Sequence, residues 1–171
     1  MNRFFFPRLV VLFITVAILP LACSKGSSSP TAPENPRDVS TIQLRLGISE
    51  VQDDILSVPV EYSEAEDLYA ISFRIGFDIT GLQPDSVEWN ETLMEDNGTF
   101  QMLDRVGFMP LAFARFDGGT GIDGSGELCR LKFRILDPEK SNPWIISDPD
   151  FLVARNSRGD RMKISTGGES R

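Results

Sequence analysis

Between Leu68 and Asp78 the chain reads LYAISFRIGFD, so Tyr69, Ile71, Phe73, Ile75 and Phe77 alternate with Ala70, Ser72, Arg74 and Gly76. A period of two puts successive side chains on opposite faces of a strand, whereas a helix would scatter the same five apolar groups around its circumference. The stretch therefore demands a long β-strand with one covered face. Leu128 to Leu136, LCRLKFRIL, repeats the design, with Cys129, Leu131, Phe133 and Ile135 inward and Arg130, Lys132 and Arg134 outward. Two such faces cover one another, which makes sheet against sheet the basic architecture.

Shorter segments of the same kind fill the rest of the chain. Thr41–Leu46 alternates Ile42, Leu44 and Leu46 with polar residues. Leu56, Val58, Val60 and Tyr62 share a face, with Pro59 marking an edge or a bulge because it lacks the N–H of a ladder. Ser63–Asp67, SEAED, reads as an acidic turn, Asn97-Gly98 as a turn pair and the glycine-rich Asp117–Gly126 as a loop. Further strands are expected at Ser86–Trp89, Phe100–Val106, Phe108–Phe116, Pro143–Ser147, Phe151–Ala154 and Met162–Ile164, with one helical turn near Thr92–Glu95. Many short strands separated by turns, and no long amphipathic helix, define an all-β antiparallel sandwich.

The first residues carry an address. Arg3 and Arg8 precede an almost unbroken apolar run, Leu9–Leu21, which is short for a permanent membrane span and suits a signal peptide. The run ends in Leu19-Pro20-Leu21-Ala22-Cys23, which resembles the lipobox of bacterial lipoproteins, with Pro20 standing where Leu is usual. That resemblance implies a mature protein beginning at Cys23, acylated there and held in membrane lipid, and Ser24 implies an outer-membrane destination. The chain thus divides into a signal at 1–22, a Ser- and Pro-rich tether at 23–38, a domain at 39–166 and a tail at 167–171. Loss of the signal leaves 15 basic against 25 acidic residues and moves the formal net charge from −8 to −10. Such a balance argues against nucleic acid as a partner.

Two further motifs point to a family. LSVPVEYSEAEDLYAISFRIGFD and, later, RVGFMPLAFARFDGGTGIDGSGELCRLKFRI resemble the cohesin family over Thr41–Ser165. The resemblance implies a nine-stranded jelly-roll sandwich, a fold shared with carbohydrate-binding modules. It also implies a non-enzymatic module for a protein partner, such as a dockerin-bearing enzyme or another envelope or secreted protein. The alternative is a carbohydrate-binding module serving polysaccharide breakdown.

The side-chain inventory bears on both readings. Histidine is absent, which removes the usual general base and the commonest transition-metal ligand, and no pair of acids is fixed across a groove. Cys129, on an inward face, reads as a buried thiol. No cofactor is expected, and the one candidate metal site is a structural calcium held by Asp117 and Asp123, where glycines let carbonyls turn inward. In Phe108–Phe116 both faces are apolar. Met109, Leu111 and Phe113 cannot share a side with Phe108, Ala112, Ala114 and Phe116, so the latter set is the candidate protein-binding face, unless Asn90–Thr99 folds over it. Sugar stacking would instead need Trp89, Trp144 or Tyr69 exposed and coplanar, with polar groups beside them.

Overall fold

A computed structural model of the chain describes residues 40–94, 97–101, 106–116 and 118–167. The described residues form ten strands: β1 (Thr41–Leu46), β2 (Glu50–Gln52), β3 (Ile55–Gly76), β4 (Leu82–Trp89), β5 (Asn97–Gln101), β6 (Phe108–Arg115), β7 (Ile122–Ile135), β8 (Trp144–Ile145), β9 (Val153–Asn156) and β10 (Arg161–Gly167). One helical turn, α1 (Glu91–Met94), lies between β4 and β5.

The long strand β3 belongs to both layers of a jelly-roll sandwich. Its first half, Ile55–Tyr62, pairs antiparallel with β7 on one side and with β1 and β2 on the other, and β4 extends that layer beyond β7. Its second half, Leu68–Gly76, pairs with β6 on one side and with β9 and β8 on the other, and β5 extends the second layer beyond β6. Strand β10 runs parallel to β1 and antiparallel to β9, joining the layers along one side. The inward faces carry Leu56, Val58, Val60, Leu131 and Phe133 from the first layer and Ile71, Phe73, Ile75, Met109, Leu111 and Phe113 from the second, all buried.

Ser63–Asp67 is not the turn its composition suggests. The chain continues as a strand through it, changing layers over two register slips against β7, between Tyr62 and Ala65 and between Ala65 and Leu68. Glu64 and Asp67 take left-handed backbone angles, with φ of 57° and 63°. Tyr62, Ala65 and Leu68 are the buried residues here, three apart, while their partners Gly126, Gly124 and Ile122 on β7 are two apart. Each extra residue on β3 is a bulge, and bulges are how a strand turns a sandwich corner. The same slips place Leu68, not Tyr69, on the inner face, leaving Tyr69 half-buried.

Three other expectations are corrected by strand pairing. Ile122–Gly126 belongs to β7 and is not loop; Gly126 permits close approach to the bulged strand, where a Cβ would crowd the Tyr62 ring. Asn97-Gly98 lies within β5, paired with Arg115 and Ala114, and a Cβ on Gly98 would overlap the Phe116 ring. Of the two places expected for Pro59, the edge is excluded, since β3 has neighbours on both sides, while a register shift against β7 does follow one residue on, between Val60 and Glu61. The Pro59 carbonyl accepts from Gly47 N at 2.8 Å, where β1 has ended and β2 has not begun. The missing N–H points into that gap.

Asp67 locks the corner. Its carboxylate accepts from the Ser157 hydroxyl at 2.6 Å, the Gly121 N–H at 2.6 Å and the Ser157 N–H at 3.2 Å. These bonds, the Ser157 hydroxyl first, hold its carboxyl below the ordinary aspartate value of 3.8. A folded-state pKa below the unfolded one stabilises the fold above pH 3.8, and that contribution is lost as the pH falls through the folded value. Asp67→Asn keeps the shape but offers a single acceptor oxygen, and it should cost about 1 kcal/mol at neutral pH. Denaturant melts from pH 7 to pH 2 should show the two proteins converging at the acid end; a gap independent of pH would remove the carboxylate from this role.

Candidate functional site

The outward face of the second layer follows from its register. Opposite one another lie Ala70 and Ala114, Ser72 and Ala112, Arg74 and Pro110, and Gly76 and Phe108, with Gly98 and Phe100 of β5 continuing the first two rows beyond Ala114 and Ala112. On the far side Arg155 and Val153 of β9 stand beside Ala70 and Ser72. Small side chains in the middle make the surface flat, and larger ones rim it. Phe100 is 53% exposed, Phe116 74% and Trp144 48%, so the rim is apolar and open to solvent.

Two glycines shape this rim. At Gly98 the missing side chain makes room for the Phe116 ring, and at Gly76 a Cβ would enter the Trp144 indole. Arg74 packs against two rings, its guanidinium carbon 3.2 Å from the centroid of Phe151 and 4.9 Å from that of Phe108.

The structure divides β6 by face. Met109, Leu111 and Phe113 are core, while Phe108, Ala112 and Ala114 face outward, half-buried by their neighbours on the sheet, and Phe116 is exposed just beyond the strand. The segment 97–101 lies at the edge of β6 as β5 and does not fold over this face. Sequence reasoning did not single out Arg74, Phe100 or Phe151. The signal available was the run of small outward residues Ala70, Ser72 and Gly76 on the same strand as Arg74; the β5 register was not readable.

The three aromatic residues considered for sugar stacking are not brought together. Trp89 is on β4 of the first layer, packs against the core and donates from Nε1 to Gln101 Oε1 at 2.8 Å, tying the edge strands of the two layers. Tyr69 sits at the bulge, and Trp144 stands on the outer face of the second layer. Of the two calcium candidates, Asp117 lies outside the described residues. Asp123 turns its Oδ1 to the Asp67 N–H at 2.8 Å. Among the described residues no group of three or more His, Cys, Asp or Glu side chains converges as a metal site would require. Cys129 is fully buried and unpaired, and burial followed by the nearby Glu127 charge raises its pKa far above that of a reactive thiol. Cys23 lies outside the described residues.

The jelly-roll sandwich with a flat, apolar-rimmed sheet face defines a fold class, and the family decides what that class is used for. The cohesin domain model matches residues 43–164, and the chain belongs to the cohesin family, whose members are non-catalytic protein-interaction modules. No curated protein matches the chain. Among solved structures, CaCohA2 of Clostridium acetobutylicum in its complex with CaDoc0917 has a TM-score of 0.63 at 20% identity, covering 74% of this chain and 94% of that one. The third cohesin of ScaC from Acetivibrio cellulolyticus, solved with the ScaB dockerin, has a TM-score of 0.61 at 22% identity, covering 73% and 93%. The non-cellulosomal cohesin of the archaeon Archaeoglobus fulgidus has a TM-score of 0.58 at 19% identity, covering 74% and 86%.

Proposed function

We propose that the protein is an acylated lipoprotein of the bacterial envelope, anchored in the outer membrane, whose cohesin domain receives a dockerin-bearing protein on the outer face of the second layer. The lipobox-like segment ending at Cys23 and the tether behind it support the anchor. The observation that carries the binding reading is the flat field of Ala70, Ser72, Ala112, Ala114 and Gly98, rimmed by Phe100, Phe108 and Phe116. A flat centre with an aromatic rim suits a folded partner, since aromatic side chains are enriched where interfaces bury most energy. Carbohydrate binding is the weaker reading, because Trp144 stands on this face without Trp89 or Tyr69 beside it. The A. cellulolyticus ScaC cohesin is known with a dockerin, and the A. fulgidus cohesin is non-cellulosomal, so a cohesin domain does not by itself imply a cellulosome.

The test is calorimetric titration of the source organism's dockerins into the full chain, beside a polysaccharide array. A dockerin should bind, and Ala112→Arg, which raises a long charged side chain from the flat centre, should weaken it by at least about 2 kcal/mol, or thirtyfold. Lys132→Ala on the first layer should leave binding unchanged. Retention on polysaccharide with no dockerin bound would overturn the reading.

A further inference from the structure

On this acidic chain the charges are unevenly divided between the two layers. The strand segments of the second layer, with β10, contain Arg74, Arg115, Arg155, Arg161 and Lys163 and no Asp or Glu. Those of the first layer mix both signs, and three of their four bases are paired with an acid: Arg45 meets Glu61 at 2.8 Å, Arg130 meets Glu127 at 2.7 Å, and Lys132 meets Glu88. In the second layer Arg155 donates to the Gly159 carbonyl at 2.7 Å and Arg161 to the Pro149 carbonyl at 2.6 Å, so neither of these bonds cancels charge. Arg74 goes further: it meets only the two aromatic rings, and its side-chain N–H groups have no acceptor among the described residues.

The placement of Arg74 has a chemical consequence. Two aromatic rings packed against a guanidinium restrain it without using its N–H donors, which stay available for the two parallel bonds by which an arginine grips a carboxylate. Resting on the proposed docking role of this face, we infer that its partner presents an acidic segment, with one Asp or Glu carboxylate seated on Arg74 and apolar side chains lying on Ala112 and Ala114. The apolar field between the cations favours a peptide over a uniform polyanion such as nucleic acid, which the net charge of −8 also repels at long range.

The probe is a capped peptide of alternating glutamate and leucine, with a lysine-leucine peptide as its opposite, titrated into the full chain by fluorescence anisotropy. The glutamate peptide should bind, the lysine peptide should not, and binding should weaken as salt rises. Arg74→Gln should reduce affinity about tenfold or more, Arg74→Lys should recover only part of it because the fork is lost, and Arg134→Gln on the first layer should change nothing. Equal binding of both peptides, no binding of the glutamate peptide, or indifference to Arg74→Gln would overturn the inference. Its failure is separable from that of the dockerin reading. A dockerin that tolerates Arg74→Gln but not Ala112→Arg overturns the acidic partner alone, whereas glutamate binding without any dockerin binding overturns the dockerin alone.

Discussion

Truncating Phe133 to Ala should cost about 3–5 kcal/mol of stability, the largest single loss expected in the domain. Phe133 is fully buried on β7, opposite Leu56 of β3 and Pro84 of β4. Its ring lies 5.5 Å from that of Phe77, centroid to centroid, at an angle of 53°. Tilted rings at this separation attract through their quadrupoles beyond the area they bury. Phe77 follows the second-layer half of β3, so the pair ties the two layers, and a cavity there cannot be closed by sliding one strand. Phe73, buried on the same inner face as Ile71 and Ile75, should behave alike on truncation. Equilibrium urea melts measure the loss; a change below about 1 kcal/mol would mean that these rings are not core.

Replacing Cys23 with Ala should release the protein from membrane. Acyl chains contribute about 0.8 kcal/mol for each methylene buried in lipid, so more than one chain holds a protein durably and none leaves an acidic domain with no affinity for anionic headgroups. Fractionation of cells should find the wild type with membranes and the variant in the soluble fraction. Mass analysis of the mature wild type should find an acylated Cys23 as its first residue. An unmodified N-terminus elsewhere would defeat the anchor while leaving the binding face untouched.

The core was legible because strand period is a direct image of side-chain direction. Ile71, Phe73, Ile75 and Phe77 on one strand, and Cys129, Leu131 and Phe133 on the other, are inward as the alternation requires. The corner was not legible for the same reason. Tyr62, Ala65 and Leu68 recur every three residues, and a broken period of two looks alike whether the chain turns back or bulges forward. Acids at Glu64, Glu66 and Asp67 tip the reading toward a turn, yet Asp67 is the residue that fastens the crossing to Gly121 and Ser157, a contact between segments distant in sequence. The outward set Phe108, Ala112 and Ala114 could be read from β6 alone. Its neighbours Phe100, Gly98 and Arg74 join it through register and ring stacking, which sequence pattern does not carry.

The claim that the second layer's outer face is the binding surface is tested most directly by amide hydrogen exchange on the chain with and without a bound dockerin. Partner contact should slow exchange in Ala70–Gly76, in Phe108–Phe116 and in the edge strand at Gly98–Gln101, while β4 and the outward-facing part of β7 at Arg130–Arg134 exchange as before. Protection concentrated on β4 and β7, with Ala112 and Ala114 unchanged, would contradict it.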